Sequence, residues 1–355
     1  MMNTMSSEDL TVAIAVPLDA EYVDGIRAAH PGVEVLYEPD LLPPERYPAD
    51  HAGDPAFQRT PAQEERYWSM LRAADILYGF PNETPAGLAA IGDGNQRLRW
   101  VQAMAAGAGG AVKASGLNTT TLQRIKITTS AGVHALPLAE FAMLGILNGF
   151  KRTGELAADQ QTKYWPQLRT PTRLVNGSRL VIAGLGEIGV ETARLARALG
   201  MTVCGTKRSV EPLEGIDPVV GNSGLSELLA SADAVVNTLP GTPDTDRLLG
   251  RKIFSAMKPG TVFVNVGRGT VVVEDALLEA LDNGQVSYAC LDVFAVEPLP
   301  AGSPLWEHPN VLVSPHTSAL SAAENRLIAE RFVDNLGIFL AGGELPHQVD
   351  PLLFY

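Results

Sequence analysis

The stretch VIAGLGEIGVETARLARALG, residues 181–200, decides the fold of this chain. A run of apolar and β-branched residues, typical of a buried strand, leads into three glycines with the spacing G-x-G-x-x-G, and a helical pattern follows. Gly184 permits the tight turn, Gly186 lets the backbone approach a pyrophosphate, and Gly189 lets the helix pack closely on the strand. The free N–H groups of the helix N-terminus attract phosphate. The stretch therefore predicts a nucleotide-binding turn.

A glycine turn of this spacing is also compatible with a simple tight connection, so its surroundings decide between the two interpretations. Here a strand precedes the turn, a helix with an apolar side opens at Glu187 and Ile188, and a second strand follows Gly200. A dinucleotide-binding βαβ unit requires this order. We therefore expect five residues to border the cofactor: Gly184, Gly186, Glu187, Ile188 and Gly189.

The end of the second strand indicates which dinucleotide binds. About 20 residues after the glycines, NAD-binding chains usually carry an Asp or Glu that accepts hydrogen bonds from the ribose hydroxyls. This chain has Gly205, Thr206, Lys207 and Arg208 there, and no carboxylate. Because a guanidinium binds phosphate in bidentate fashion, Lys207 and Arg208 favour NADP, with NAD as the alternative cofactor. The other interpretation is that both cations only solvate the end of a strand.

Composition and charge limit the function classes. A chain of 355 residues is long enough for two domains, and 46% hydrophobic with 19% charged residues predict a large buried core. The net charge of −13 argues against nucleic acid as a partner, because binding it draws on clustered Lys and Arg. Cys204 and Cys290 lie in apolar runs, which suits buried residues in a reducing compartment. The sequence contains no spacing typical of a metal site.

The sequence shows no pattern for a membrane or for export. The first ten residues, MMNTMSSEDL, lack a basic region and an apolar region, and no stretch approaches roughly 18 uninterrupted apolar residues. We therefore expect a soluble, cytoplasmic protein.

Two series of predicted strands divide the chain. In the first series, strand-like runs alternate with polar or helical stretches, as in a parallel sheet with crossover helices. From Ile127 the pattern restarts with a short strand, the apolar helix PLAEFAMLGILNGF and a more regular series. The fold class is therefore α/β, with two Rossmann-like or flavodoxin-like lobes built on doubly wound parallel sheets. The strands of the second lobe are RLVIAG, MTVCGT, AVVNTL, TVFVNVG, SYACLDV and VLVSP.

The end of the chain predicts one more helix. In SAAENRLIAERFVDNLGIFLAG, Ser321 and Glu324 have the spacing of a capping box. If this helix packs on the first lobe, the second lobe is an insertion in the first. The first lobe then comprises residues 1–128 and 317–355, and the second lobe comprises residues 129–316. The apolar face of the helix would consist of Leu327, Ile328, Phe332, Leu336 and Phe339.

Three stretches place a polar residue at the end of a predicted strand: Arg268 in VNVGRGTVV, Glu297 in LDVFAVEPLP and His316 in VSPHTSA. Open α/β sheets bind ligands at this edge, so we expect the three residues to converge. Together they suit reduction of a 2-oxo acid. The guanidinium would bind the substrate carboxylate, the imidazolium would donate a proton to the carbonyl oxygen, and the carboxylate would orient the imidazole. Taken singly, each residue is also compatible with a structural role.

These stretches resemble the D-isomer-specific 2-hydroxyacid dehydrogenases, and within that family most of all the glyoxylate/hydroxypyruvate reductases. The resemblance extends from Leu98 onward. It rests on AMAAGAGG, PLAEFAMLGIL, GLGEIG, TLPGTPDT, MKPGTVFVNVGRGTVVVEDALLEAL, LDVFAVEPLP and SPLWEHPNVLVSPH, in this order. It implies a substrate-binding domain made from both chain ends, an inserted NAD(P)-binding Rossmann domain and a homodimer formed largely through the coenzyme domains. It also implies hydride transfer from the coenzyme to a small 2-oxo acid, or from the corresponding 2-hydroxy acid to the coenzyme.

The resemblance also assigns residues to roles. It places the catalytic Arg, Glu and His on Arg268, Glu297 and His316, with Arg268 and His316 also contacting substrate. Backbone N–H groups at Ala106 and Gly107 would bind the substrate carboxylate. The further cofactor-binding residues that it implies are Leu239, Pro240, Thr245, Val266, Gly267 and Asp292, the last of which would hold the nicotinamide amide.

Two residue positions depart from the family pattern. Gly109 stands where many members carry Asp, which leaves the support of the substrate loop open, and the acidic ribose residue is absent.

In the segment QTKYWPQL, Tyr164 or Trp165 would either help to close the pocket of a neighbouring subunit or only pack in a dimer interface.

Three functions remain open from the sequence. The first is an NADP-preferring reductase of a small 2-oxo acid of the glyoxylate or hydroxypyruvate type. The second is the same chemistry on another 2-oxo acid, of the lactate or phosphoglycerate type, although the first lobe shows no cluster of cations for a phosphorylated substrate. The third is a catalytically idle, corepressor-like protein that senses NAD(H), although the chain has no long disordered tail for partners.

Overall fold

The structure is a computed structural model that describes residues 10–354 and divides the chain into two compact units. Unit 1 runs up to His134 and resumes at Leu320, and unit 2 is Ala135–Ala319. Residues 1–9 lie outside the described residues. They form most of MMNTMSSEDL, the stretch in which we expect no targeting pattern. Each unit is built on a parallel sheet with helices, which is the predicted α/β class.

Unit 1 contains a five-stranded sheet in the order β2-β1-β3-β4-β5, in which every neighbouring pair is parallel. The carboxyl ends of its strands therefore share one edge. Its strands are β1 (Thr11–Ile14), β2 (Glu34–Leu36), β3 (Ile76–Tyr78), β4 (Trp100–Gln102) and β5 (Lys126–Thr128), and its helices are α1 (Ala20–Ala29), α2 (Pro61–Ala73), α3 (Pro85–Gly94), α4 (Gly109–Ser115), α5 (Thr119–Arg124) and α12 (Glu324–Leu340).

The core of unit 1 includes aromatic residues that join the sheet to the last helix. Trp100 of β4 stacks on Phe332 of α12 with ring centroids 5.0 Å apart, and Tyr78 of β3 meets the same ring edge-on at 5.2 Å. All three residues are fully buried. Helix α12 therefore belongs to unit 1, although the whole of unit 2 precedes it in the sequence.

Unit 2 contains a seven-stranded sheet in the order β12-β11-β10-β9-β6-β7-β8, again parallel throughout. Its strands are β6 (Arg179–Ala183), β7 (Thr202–Thr206), β8 (Val219–Val220), β9 (Ala234–Asn237), β10 (Thr261–Asn265), β11 (Val286–Leu291) and β12 (Val311–Val313). Its helices are α6 (Ala135–Lys151), α7 (Thr153–Thr162), α8 (Glu187–Ala198), α9 (Leu225–Leu229), α10 (Arg251–Ala256) and α11 (Glu274–Asp282).

Helix α6 lies unusually close to the sheet of unit 2. A Cβ atom placed on Gly145 would come within 2.7 Å of the Cβ atom of Cys290, and one on Gly149 within 2.5 Å of the side chain of Val262. Both glycines therefore permit an approach that any larger side chain would prevent. Cys290, like Cys204, is a buried free thiol, as its apolar surroundings predict.

The unit boundaries of the structure lie a few residues after the predicted ones. We predicted a change of lobe after residues 128 and 316, whereas the structure divides the chain after His134 and Ala319. Hydrogen bonds account for the difference. The Ser130 hydroxyl donates to the Ala103 carbonyl of unit 1 (2.8 Å), and the Thr317 N–H donates to Asp292 of unit 2 (3.0 Å).

The predicted capping box at the start of the last helix is wrong. Helix α12 begins at Glu324, and the residue before it makes no side-chain capping bond. The carboxylate of Glu324 is buried and accepts a hydrogen bond from His134 Nε2 (3.0 Å) instead. The apolar face is as predicted, with Ile328, Phe332 and Leu336 buried in the core. A tertiary partner has therefore replaced the local one.

Helix α7 and strand β8 are not in the sequence prediction. None of the residues of α7 is buried, so that helix has no apolar pattern to indicate it, and β8 is only two residues long.

Among residues 10–354, no helix combines the length and the apolar character that a membrane crossing requires. The same range contains no group of three or more His, Cys, Asp or Glu arranged to hold a metal ion.

Candidate active site

The glycine turn lies between β6 and α8, at the carboxyl edge of the sheet of unit 2. Gly184 has a φ of +101°, which residues with side chains rarely adopt, and its N–H donates to Thr206 Oγ1 (3.1 Å). A Cβ atom on Gly189 would lie 2.3 Å from the Gly184 carbonyl oxygen, so the helix is packed tightly on the turn. A Cβ atom on Gly186 would meet nothing within 4 Å. The position predicted to approach a pyrophosphate is therefore open, and this geometry fits a dinucleotide.

The loop after β9 packs beside this turn. The Leu239 side chain would lie 3.1 Å from a Cβ atom on Gly184, and a Cβ atom on Gly267 would lie 2.7 Å from the Leu239 carbonyl oxygen. Thr245 is buried, and its hydroxyl donates to the Pro240 carbonyl (2.5 Å). These residues form one wall beside the glycine turn, and Val266, also predicted to bind cofactor, is buried at the end of β10.

The end of β7 carries the residues predicted to choose between NADP and NAD. Lys207 forms an ion pair with Glu211, four residues further along the chain. Arg208 follows it and is exposed. The Thr206 hydroxyl accepts the N–H of Gly184 and so helps to form the turn. Glu211, which the sequence interpretation missed, offsets part of the positive charge at this strand end.

His316 and Glu297 form the centre of the candidate site. His316 Nδ1 donates to Glu297 Oε2 at 2.7 Å, and the N–H of Phe294 donates to the other carboxylate oxygen at 2.9 Å. The side chain of His316 is 51% exposed and that of Glu297 is 35% exposed. Among the described residues, Nε2 of His316 has no hydrogen-bond partner. The imidazole is thus oriented through Nδ1, and its Nε2 is left without a protein partner.

Asp292 holds the backbone that carries His316. Its buried Oδ1 accepts hydrogen bonds from the Ser314 hydroxyl (2.6 Å) and from the N–H groups of Thr317 and Ser318 (3.0 Å each). The N–H of His316 donates to the Asp292 carbonyl oxygen (3.0 Å). This positioning role is additional to the nicotinamide contact that the resemblance implies, and no local pattern in the sequence indicates it.

Arg268 lies on a segment that packs against the backbone leading to Glu297. A Cβ atom on the next residue, Gly269, would lie 1.9 Å from the carbonyl group of Phe294, whose N–H donates to Glu297. Arg268 itself is exposed, and its Nη1 donates to the carbonyl of Gly267 (2.8 Å). The cation therefore follows β10 at the same sheet edge as the His316–Glu297 pair and is available to an anionic ligand.

The remaining predicted residues lie on other segments of the chain. Ala106 and Gly107 belong to unit 1, where they form an exposed turn after β4. Tyr164 and Trp165 belong to unit 2 and follow α7, with side chains 60% and 82% exposed.

Comparisons with known proteins support this description. Residues 143–318 match the family model described as D-isomer specific 2-hydroxyacid dehydrogenase, NAD binding domain. Glyoxylate/hydroxypyruvate reductase A of Serratia proteamaculans is 33% identical over 221 residues, which are 62% of this chain and 69% of that protein.

Two solved structures are similar over almost the whole chain. A D-isomer specific 2-hydroxyacid dehydrogenase of Xanthobacter autotrophicus Py2, in complex with NADPH and MES, has a TM-score of 0.76 and 28% identity, covering 98% of this chain and 100% of that one. An NADPH-dependent glyoxylate/hydroxypyruvate reductase of Sinorhizobium meliloti, in complex with NADP and sulfate, has a TM-score of 0.72 and 26% identity, with the same coverage. These similarities confirm the α/β fold class and the NAD(P)-binding domain that the sequence predicts.

Proposed function

We propose a reaction from the premise that this chain belongs to the D-isomer specific 2-hydroxyacid dehydrogenase family. The reaction is reduction of a small 2-oxo acid of the glyoxylate or hydroxypyruvate type, with NADPH as the preferred cofactor. The observation that supports it best is the 2.7 Å bond between His316 and Glu297 in the same unit as the open glycine turn. That pair supplies an oriented proton donor.

Each residue of the site has one task in this reaction. The cofactor, when bound, supplies the hydride that the carbonyl carbon receives. His316 Nε2 donates a proton to the carbonyl oxygen, which becomes the hydroxyl of the product. Glu297 accepts the hydrogen bond from Nδ1 and stabilises the imidazolium before the transfer. Arg268 binds the substrate carboxylate, for which a guanidinium offers two parallel donors.

A panel of 2-oxo acids, each mixed with the protein and NADPH and followed at 340 nm, tests this function. We expect reduction of glyoxylate or hydroxypyruvate, and we expect His316→Ala to lower kcat by about two to four orders of magnitude, the usual contribution of general acid–base catalysis. NADPH binding, measured by its fluorescence, should stay unchanged in that variant. A panel with no active substrate, or a variant with normal kcat, contradicts the proposal.

The preference for NADP rests on Lys207 and Arg208, with Glu211 acting against it through its ion pair with Lys207. Replacing both cations with Ala should lower kcat/KM for NADPH relative to NADH. Glu211→Gln is the matched opposite change, because it leaves Lys207 without its carboxylate partner, and it should raise the same ratio. Unshifted ratios in both variants would show that another group reads the 2′-phosphate.

We also propose that the protein forms a homodimer. A series of large apolar side chains lies exposed on and after α7, which is unusual for the surface of a monomer. Light scattering after size-exclusion chromatography measures the oligomeric state directly. The exposed side chains are Leu156, Tyr164, Trp165, Leu168 and Leu174.

A further inference from the structure

Two buried asparagines end neighbouring strands of unit 2, and the proposed function does not use them. Asn237 is the last residue of β9 and Asn265 is the last residue of β10, and the two lie opposite each other in the parallel register of these strands. Asn237 is 0% exposed and Asn265 is 1% exposed. We call these two residues the asparagine pair.

Hydrogen bonds join the asparagine pair to the segments that follow both strands. The Asn237 amide nitrogen donates to Asn265 Oδ1 (2.8 Å), and Asn237 Oδ1 accepts the N–H of Leu239 (3.3 Å). Asn265 Oδ1 also accepts the N–H of Gly267 (3.2 Å), and the Asn265 amide nitrogen donates to the Arg268 carbonyl oxygen (3.5 Å). All four polar side-chain atoms of the pair therefore have partners, which fixes the direction in which each amide faces.

The asparagine pair continues the connection between the two strands beyond their paired residues. Backbone pairing reaches the N–H of Val266, which donates to the Asn237 carbonyl oxygen (3.1 Å). After that point the amides of the pair accept the N–H groups of Leu239 and Gly267. A buried N–H group without an acceptor is costly, so an apolar residue in either place would leave such a group unpaired. The pair therefore ties together two segments that lie beyond the strands.

These two segments belong to different parts of the candidate site. The loop that begins at Leu239 forms the wall beside the glycine turn, and a Cβ atom on Gly241 of this loop would lie 3.4 Å from Cγ of Arg268. Among the described residues, the guanidinium of Arg268 makes one hydrogen bond, to the carbonyl of the preceding Gly267 (2.8 Å). The direction of this cation therefore depends on the placement of its own backbone and on the loop beside it.

We propose that the asparagine pair positions Arg268 against the wall of the cofactor site, an inference that rests on the proposed function and adds two positioning residues to it. The amides are buried and act through the backbone. They make the loop at Leu239 and the segment at Arg268 move as one body, so the guanidinium that binds the substrate carboxylate keeps its place relative to the cofactor. A displacement of about 1 Å in such a group can cost about 100-fold in rate.

Fluorescence titration with NADPH tests the connection without turnover. Asn237→Ala removes the acceptor of the Leu239 N–H and should raise Kd about 3- to 10-fold, the range for one lost hydrogen bond. Asn265→Ala should raise Kd in the wild type, but less than about twofold in the Asn237→Ala background, because the two segments are then already disconnected. Thr261→Ala is the matched control, since Thr261 is buried at the other end of β10 and its hydroxyl donates to the Ala232 carbonyl (2.9 Å). Its Kd should equal that of the wild type.

Steady-state kinetics with the best 2-oxo acid of the panel test the placement of Arg268. Asn265→Ala should lower kcat/KM about 10- to 100-fold, whereas Thr261→Ala should keep it within about twofold of the wild type. In an Arg268→Lys background, Asn265→Ala should lower kcat/KM less than about threefold, because the Lys ammonium is a point charge without a planar fork to align. Thermal unfolding of each variant measures the loss of stability separately.

The possible outcomes separate this inference from the proposed function. Equal losses of kcat/KM in both backgrounds, or additive effects of the two asparagines on NADPH binding, would show that the pair only stabilises the fold. If Asn265→Ala does not fold, Asn237→Ala gives the same kinetic comparison, because it breaks the same 2.8 Å bond, and an unchanged NADPH Kd in Asn237→Ala overturns the inference. A panel without any active substrate contradicts the proposed function instead, and the NADPH titrations then decide the inference by themselves.

Discussion

Replacing Glu297 with Gln tests the central contact of the site with the smallest change of shape. The Gln carbonyl oxygen can still accept the N–H of Phe294, which Glu297 Oε1 accepts at 2.9 Å. The amide NH2 group then faces His316 Nδ1, where a carboxylate oxygen accepted a hydrogen bond at 2.7 Å. Two donors now oppose each other, so the imidazolium loses its acceptor. The variant therefore removes the stabilisation of the proton donor and little else.

The size of the effect follows from the exposure of the pair. Hydrogen bonds to charged groups contribute about 1.5–3 kcal/mol, and solvent screens this pair because its side chains are 51% and 35% exposed. We therefore take the lower end, about 1.5 kcal/mol, which corresponds to roughly a tenfold lower kcat. The assay is NADPH oxidation at 340 nm with saturating substrate, and NADPH binding should stay unchanged.

Glu274 offers a matched control for this variant. Its carboxylate accepts the N–H of Ala295 at 2.8 Å, in the same loop as Glu297, and the structure shows no contact between it and the imidazole. Glu274→Gln should keep kcat within about twofold of the wild type. A normal kcat in Glu297→Gln, or an equal loss in both variants, would refute the assignment of Glu297 as the partner of the proton donor.

Three other predictions concern stability, cofactor binding and assembly. Gly189→Ala places a Cβ atom 2.3 Å from the Gly184 carbonyl oxygen, so it should lower the free energy of unfolding by about 1–3 kcal/mol in urea titrations. Gly186→Ala meets no atom within 4 Å, so it should leave the free energy of unfolding nearly unchanged but weaken NADPH binding. Burial raises the pKa of Glu83 to about 7, so the wild type should lose about 2.5 kcal/mol of stability between pH 5 and pH 8, and Glu83→Gln should remove that loss. Trp165→Ala should raise KM for the 2-oxo acid in an intact dimer if Trp165 reaches a neighbouring pocket, and an unchanged KM would leave it only an interface role.

The glycine turn could be predicted from the sequence because each glycine has a local steric reason. Gly184 needs its positive φ, and Gly189 leaves no room for a Cβ atom. The strands of unit 2 could be predicted because they are short apolar runs that end at turn residues. The positions of Arg268, Glu297 and His316 followed from strand ends, since parallel strands carry their carboxyl ends to one edge.

Two features were missed in the sequence, one because its partner is distant along the chain and one although its partner is near. Glu324 was expected to cap its own helix, but its partner is His134, which lies far earlier in the chain. The ion pair between Lys207 and Glu211 is local, yet the prediction considered only the last residues of β7 and missed it.

The conformation of His316 shows why the site required the structure. Its φ of +56° lies in the left-handed region, which costs a residue with a side chain on the order of 1 kcal/mol or more. The hydrogen bonds from Ser314, Thr317 and Ser318 to Asp292 offset that cost, and they fix the turn on both sides of the imidazole. Because the turn is fixed, Nδ1 meets Glu297 and Nε2 remains exposed. The histidine in the sequence indicates acid–base chemistry, whereas the structure adds the carboxylate of Asp292, which holds the turn that orients the imidazole.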